Sequence, residues 1–374
     1  SAGFKTRVFE QASDVGGTWY WNRYPGARCD VESMQYAYSF SPELEQEWEW
    51  TERYATQPEI LRYVNHVADR FDLRHDIQFN TRVATAIFNE TGSRWMIETN
   101  NGEHISATYC VMATGCLSST NTPNFEGVES FSGSLYHTGE WPHHEIDFSG
   151  QRVGIIGTGS SAIQSIPLIA EQAKHLYVFQ RTPHYTVPAR NQPLQSDPKT
   201  QHPGRKAYGY DEDMTVEEIK ADYLGLRQRA LESFAALAFT PNRQSALEMT
   251  EMERQREFEK RWKQGGLTFQ GVFSDFSISR EANEFAAEFV RRKIQQTVKD
   301  SVVAKALVPT YTIGCKRLAV DTGYYETYNR PNVTLVDVSK SPIERITSAG
   351  VYAQGREYPL NSLIMATGFD AMTG

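Results

Sequence analysis

An α/β fold is what this sequence predicts, and three observations predict it. Arg152 to Ile156 is a short apolar strand that leads into the turn Gly157-Thr158-Gly159-Ser160-Ser161-Ala162, a helical stretch from Ile163 to Gln172 and a second apolar strand from His175 to Phe179. Far upstream, Thr6 to Glu10 reads as another short buried strand, ending in a carboxylate. Between Pro188 and Leu307 the text turns polar and then helical. Glycines at a strand-to-helix turn let a pyrophosphate approach the free N–H groups of the helix, and an acidic strand end suits a ribose diol. The expected fold is therefore α/β, with two dinucleotide-binding (Rossmann-like) domains and a helical insertion in the second.

Composition agrees with a packed globular chain. Of 374 residues, 40% are hydrophobic and 22% charged, too mixed for disorder. A net charge of −8 argues against a nucleic acid or a membrane surface as partner. No apolar run reaches the roughly 18 residues that a membrane span requires. No signal peptide is visible, and the chain opens on Ser1 rather than Met. Cys29, Cys110, Cys116 and Cys315 fit neither a zinc pattern nor a redox pair, so no metal is expected. Cys110 and Cys116 flank an apolar stretch and read as buried thiols, and scattered free cysteines suit a reducing, cytoplasmic setting.

Taken in order, the first strand ends at Glu10, which either closes an exposed strand or holds a ribose. Gly16 and Gly17 precede Thr18-Trp19-Tyr20-Trp21, with Tyr24-Pro25-Gly26 and Arg28-Cys29-Asp30 beyond. Three ring side chains in a row are too many for one strand face; they cover a ligand or form an aromatic surface loop. Gln57 to Phe71 carries a helical period through Ile60, Leu61, Val64, Val67 and Phe71, with Pro58 in its first turn. Thr81 to Thr108 reads as strands with a tight turn at Asn101-Gly102. Tyr109 to Gly115 reads as a buried strand ending in Ala-Thr-Gly, a triplet that recurs at 366–368.

At the end of the His175–Phe179 strand stand Gln180-Arg181-Thr182, where an NAD site would place Asp or Glu. A guanidinium bonds a 2′-phosphate that a carboxylate would repel, so Arg181 selects NADPH unless it is a plain surface charge. Pro167 conflicts mildly with its helix. Thr215-x-x-Glu218 and Thr250-x-x-Glu253 read as capping boxes, and Ile219, Tyr223, Leu226, Ala230 and Phe234 as one packing stripe, with Phe285, Phe289 and Val298 hinting at another. Lys316 and Arg317 are adjacent cations after a glycine, by default a surface pair. Asn332 to Val338 is a further strand, and hairpin-like text follows from Ser339.

The stretch from Phe131 to Pro142, Phe-x-Gly-x-x-x-His-x-x-x-Trp-Pro, resembles the fingerprint of the type I Baeyer–Villiger monooxygenases. Gly17-x-Trp19-x-x-x-x-Tyr24-Pro25-Gly26-x-x-x-Asp30 looks like a second signature of that family, and the repeated Ala-Thr-Gly is similar to the domain crossings of two-dinucleotide flavoproteins. The resemblance spans nearly the whole chain and looks closest to the branch acting on phenylacetone, steroid ketones and large cyclic ketones. It implies an FAD-binding domain over 1–140, an NADPH-binding domain over 141–338 with its insertion at about 190–307, and a return to the FAD domain over 339–374. The family's first strand and glycine fingerprint are missing before Glu10, and its C-terminal part after Gly374, so the sequence reads as a fragment truncated at both ends, cut at its start inside the first FAD-domain helix.

The implied cofactors are FAD and NADPH. The implied binding residues are Glu10, Thr18, Trp19, Tyr20, Trp21, Arg28, Cys29, Asp30, Tyr36, Gly157, Thr158, Gly159, Ser160, Ser161, Ala162, Ile163, Gln164, Arg181, Thr182, Lys316 and Arg317. In the implied reaction NADPH reduces the flavin, which takes up O2 as a C4a-peroxide that attacks a ketone to give an ester or lactone. Arg317 is the expected catalytic cation and Asp30 its partner, while His137 has a structural or gating role. The rival readings are an N-hydroxylating or sulfur-oxidising flavin monooxygenase, whose motif ends in Tyr or Phe at position 141, a disulfide reductase, and a non-catalytic nucleotide sensor. The oligomeric state is left open.

Overall fold

The computed structural model describes residues 3–194, 216–233 and 236–370. The N-terminal part opens with β1 (Val8–Phe9), three short helices, α1 (Thr18–Trp21), α2 (Ser33–Tyr36) and α3 (Pro42–Glu47), and the long α4 (Gln57–Arg70). Pro58 lies in the first turn of α4, where its missing N–H leaves no bond unmade. Ile60, Tyr63 and Val67 recur on one face of α4 and pack with Met34, Leu44 and Trp50 into a core of their own. β2 (Ile77–Gln78) runs parallel to β1. The expected buried strand Thr6–Glu10 is thus shorter and more open: among the described residues two of its positions pair, with β2 alone, and Val8 is exposed.

A three-stranded antiparallel meander follows, β3 (Val83–Asn89), β4 (Arg94–Thr99) and β5 (His104–Ala107). Its second turn is closed by Gly102 N–H donating to the Thr99 carbonyl at 3.0 Å, with Gly102 at φ +77°. The next stretch departs from expectation. Residues 109–115 form no strand, and Tyr109, Val111 and Met112 are exposed. Cys116 is exposed and Cys110 half-buried, so neither is the buried thiol expected. No described strand pairs with this run, and a backbone without ladder partners cannot be held in a dry core. Its apolar composition marks strand propensity; the neighbour decides whether the strand forms.

The main sheet is built from β6 (Ser134–His137), β7 (Arg152–Ile156), β8 (His175–Gln180), β11 (Val333–Asp337) and β15 (Ser362–Met365), with α5 (Ser160–Gln172) crossing from β7 to β8. Its order is β11-β8-β7-β15-β6, all parallel. Strands buried on both faces read as continuous apolar runs, and β7, β8 and β15 do so. The sheet is wider than the 141–338 span: β6 joins from before it and β15 from after it. β15 is buried throughout and pairs on both edges, which draws both strands in. α5 runs unbroken through Pro167, held by the buried Ile166 and Ile169 on either side.

Between β8 and β11 lie β9 (Thr186–Pro188), helices α6 (Val216–Ala221), α7 (Tyr223–Leu231), α8 (Glu251–Gln264), α9 (Arg280–Thr297) and α10 (Ser301–Leu307), then β10 (Ala319–Asp321) and α11 (Tyr324–Thr327). Thr250 and Glu253 form the expected capping box of α8. The box at Thr215 lies outside the described residues, as does Phe234. The Ile219–Ala230 stripe is split into α6 and α7 at Asp222, whose carboxylate accepts the Gly225 N–H at 3.0 Å. Stacked rings of Phe258 and Phe289, 5.1 Å apart, join α8 to α9. Antiparallel strands β12 (Arg345–Ile346), β13 (Gly350–Ala353) and β14 (Arg356–Pro359) precede β15.

β9 and β10 pair in parallel and tie the insertion's two ends together. At their far end the Asp321 carboxyl is buried; it accepts from the Thr186 hydroxyl and the Tyr324 N–H. Burial pushes its pKa up to about 6. A raised folded-state pKa means the contribution to stability is complete below the ordinary carboxylate range and is lost as pH rises through about 6. Asp321→Asn keeps an acceptor and removes the titration. Its melting temperature is expected to change less than wild type between about pH 4 and pH 7, by an amount worth about 2–3 kcal/mol. Parallel melting curves for the two proteins would show that Asp321 ionises freely.

Candidate functional site

The turn between β7 and α5 is open on one side and packed on the other. A Cβ added at Gly157, φ +120°, would stand 2.3 Å from the Ala366 carbonyl oxygen, so only glycine lets the turn lie against the segment after β15. At Gly159 no atom lies within 4 Å of such a Cβ. Gly159 caps α5 without a side-chain bond, so the first-turn N–H groups around Ser160 and Ser161 face that open side. Ala162 and Ile163 turn their side chains into the core, and the Ile163 N–H is spent on the Gly159 carbonyl at 2.9 Å. Thr158 is buried and donates its hydroxyl to the Thr182 carbonyl at 2.6 Å, fixing the β7 turn to the turn after β8. Arg181, on that second turn, is exposed, and among the described residues no carboxylate pairs with it.

Gln164 acts differently from a ligand contact. Its amide oxygen accepts from the Tyr24 hydroxyl at 2.9 Å and its NH2 donates to the Arg28 carbonyl at 3.1 Å, so it binds the Tyr24–Asp30 segment to α5. That segment passes so close that a Cβ at Gly26, φ +80°, would meet the Gln164 carbonyl oxygen at 2.4 Å. Gly26→Ala therefore combines a left-handed backbone with a clash between two main chains, and is expected to cost on the order of 1–3 kcal/mol. Thermal denaturation beside Gly159→Ala, where the space is open, is the check: equal melting temperatures would remove the argument.

Asp30, at the end of this segment, meets Arg317 from the other end of the chain. Arg317 Nε lies 2.7 Å from one carboxylate oxygen and Nη2 2.7 Å from the other, a planar two-point pair between residues 287 apart in sequence. Asp30 is largely buried, whereas the Arg317 side chain is 64% exposed, so the guanidinium is fixed along one edge and presents the rest outward. The bonds to Asp30 hold its pKa above the ordinary arginine value. Cys29 is buried, and burial pushes its thiol up to about 12, which makes it a packing group here. Arg28 faces Glu52 at 3.5 Å. Lys316 Nζ stands 5.0 Å over the Tyr311 ring and has no carboxylate partner among the described residues.

The aromatic run forms two groups. Trp19 donates its indole N–H to the Tyr36 hydroxyl at 2.9 Å, the rings meeting edge to face, and burial pushes the Tyr36 hydroxyl up to about 12. Tyr20 and Trp21 gather with His143, which sequence reasoning missed. Gly17 and Thr18 are exposed at the head of α1, and no atom stands within 4 Å of a Cβ at Gly17. The half-buried Glu10 accepts the Ala12 N–H at 2.7 Å with one carboxylate oxygen. The open glycines, the exposed cations and the free helix amides fit two dinucleotide cofactors.

The Phe131–Pro142 motif is a splice between β6 and the chain's other crossing. His137 Nδ1 accepts the Gly139 N–H at 3.0 Å and its Nε2 lies 3.1 Å from the Thr367 hydroxyl. Thr367 in turn donates to the Asn121 carbonyl, so the His137 proton sits on Nε2. Burial holds its pKa below the ordinary histidine value. Gly133 and Gly139 leave no room for a Cβ beside Asn361 and Phe369, and Trp141 is buried against Tyr136 and Phe148. His137 thus bonds the motif to the two crossings, while Gly133 and Trp141 seat it in the packing around β6.

The comparisons with known proteins bear on the family of the chain. The family model described as "Pyridine nucleotide-disulphide oxidoreductase" matches residues 31–219. A Baeyer-Villiger monooxygenase of Pseudooceanicola batsensis is 44% identical over the whole chain, which covers 65% of that relative. Phenazine N-monooxygenase PhzNO1 of Lysobacter antibioticus is 41% identical, again over the whole chain, which covers 66% of it. The solved structure "Oxidized steroid monooxygenase bound to NADP" superposes with a TM-score of 0.91 at 51% identity, matching all of this chain and 68% of that one. The chain spans about two thirds of the length of the curated relatives it matches.

Proposed function

The chain belongs to the type I Baeyer–Villiger monooxygenase family, and from that premise we propose that the protein carrying it is an FAD- and NADPH-dependent oxygenase converting ketones to esters or lactones. The observation that carries the reading is the two-point Arg317–Asp30 pair, set between the nucleotide turn and the aromatic run. When bound, NADPH supplies a hydride and FAD the oxygen-activating chemistry.

The chain's own residues do the rest. Amides at the head of α5 hold a pyrophosphate, and Arg181 and Lys316 take the 2′-phosphate. Arg317 offers a cation that stays charged at any working pH, aimed by Asp30 at the oxygen that carries negative charge in the reaction. Trp19, Tyr20, Trp21 and Tyr36 exclude water, and His137 keeps the two crossings in register.

The likeness to a steroid monooxygenase supports bulky cyclic, aryl or steroid-like ketones, with O2 as co-substrate. Among the described residues no helix is long and apolar enough to cross a membrane. We place the protein in the cytoplasm, where its free cysteines suit a reducing medium. Product analysis with a ketone panel tests the proposal: ester or lactone is expected in step with NADPH oxidation. The phenazine relative favours one second reading, and an N-oxide from an aromatic heterocycle with no ester from any ketone would establish it instead.

A further inference from the structure

His184 is used by none of the chemistry above, yet its ring stands between the two turns that carry the cations. It lies just beyond Thr182. Its Nε2 is 2.8 Å from the Arg317 carbonyl oxygen and its Nδ1 3.1 Å from the Tyr311 hydroxyl. Its own carbonyl accepts from the Tyr325 hydroxyl at 2.8 Å.

These partners leave one arrangement of protons. A carbonyl can only accept, so Nε2 carries the hydrogen. Burial holds the His184 pKa below the ordinary histidine value, so the neutral ring has a bare Nδ1 that accepts the Tyr311 hydroxyl hydrogen, while the Tyr311 oxygen accepts the Tyr185 N–H at 3.3 Å. The chain of bonds runs in one direction, from Tyr185 through Tyr311 and His184 to Arg317, with a neutral ring.

The place of the ring gives it a task. The β9–β10 ladder begins at the Thr186–Ala319 pair, and the Ala319 N–H reaches back to the Tyr185 carbonyl. Lys316 and Arg317 lie before that point, where among the described residues no backbone pairing holds them to the Arg181–Thr182 turn. His184 continues the junction with a side chain. It grips the main chain of the residue whose guanidinium Asp30 grips from the other side.

We propose that His184 is a positioning residue whose ring, anchored at Nδ1 by the Tyr311 hydroxyl, holds the Arg317 carbonyl through Nε2–H and so sets the spacing between the Arg181–Thr182 and Lys316–Arg317 turns. The inference rests on the reading of these turns as a coenzyme site. It names no direct contact of His184 with coenzyme or substrate; the effect passes through the backbone of Arg317.

The test uses the intact enzyme and two readouts: NADP+ affinity by calorimetric titration, and ester formed per NADPH oxidised. His184→Leu removes the donor and is expected to weaken NADP+ about 3- to 10-fold, the worth of one neutral hydrogen bond, with a lower ester yield per NADPH. His184→Gln places an amide N–H near the Nε2 position and is expected to restore both to within about 2-fold. Tyr311→Phe, which removes the second anchor of the ring, is expected to fall between wild type and His184→Leu.

Wild-type affinity and coupling in His184→Leu would overturn the proposal. So would equal losses in His184→Leu and His184→Gln together with lower melting temperatures, since the ring would then only fill space. If wild type forms no ester from any ketone but the affinity pattern of the variants holds, the monooxygenase reading fails and the positioning role stands.

Discussion

Arg317→Ala is expected to leave both cofactors bound and to lower ester formation about 100- to 1000-fold, the usual cost of removing one preorganised donor to developing negative charge. The geometry makes the expectation specific. Arg317 spends one edge on Asp30 and keeps the rest of its guanidinium exposed, so the donor lost to the reaction is the outward side of a group already fixed in place. The substitution also strands Asp30, a largely buried carboxylate, without its partner. Arg317→Lys separates charge from shape: an ammonium keeps the charge but cannot bridge both oxygens of Asp30, and partial activity is the most it should recover. The measurement is ester formed per NADPH consumed, with the rate of flavin reduction followed separately so that the oxygen-transfer step is read on its own. Ester formation by Arg317→Ala at the wild-type rate would return this residue to the class of ordinary surface charges.

Arg181→Ala is expected to raise the Michaelis constant for NADPH about 10- to 100-fold and to leave that for NADH nearly unchanged, because a hydrogen bond to a charged group is worth roughly 1.5–3 kcal/mol. Arg181 is exposed, and no described carboxylate competes for it, so it is free to meet a 2′-phosphate. Lys316, resting on the Tyr311 ring, gives a smaller effect of the same sign, since an ammonium is a point charge without a planar fork. An equal loss with both coenzymes would place Arg181 elsewhere in the site.

What could be read from the sequence follows the range of the forces involved. The unit from β7 through α5 to β8 is governed by local periodicity and by glycines whose backbone roles are local, and its strand and helix bounds shift by only a few residues. The Thr250 box is local too, with both bonds formed within one turn. The Arg317–Asp30 pair is not local; nothing in spacing joins residues 287 apart, and it was legible only because both segments resemble one family's motifs. The misreadings share one cause, pairing across long stretches of sequence. Residues 109–115 look like a strand, but no described strand lies beside them. β6 and β15 look like parts of flanking domains and enter the main sheet through each other. His184 and Tyr311 meet over 127 positions with no pattern to announce it.

The place of β15 bears on how the molecule is made. This strand, about 200 residues after β7, lies inside the main sheet between β7 and β6, and it is the only strand that pairs with β6 among the described residues. A ribosome adding about 5–20 residues per second needs roughly 10–40 seconds to cover the ~200 residues between β7 and β15. Through that interval β7 carries a bare apolar edge, and β6 waits unpaired. Parallel pairing over so long a loop is also slow once the strand is free. The nascent chain is thus most open to edge-to-edge association while it is still being synthesised, and the yield of native protein should depend on translation time and chaperone cover more than on the stability of the finished fold.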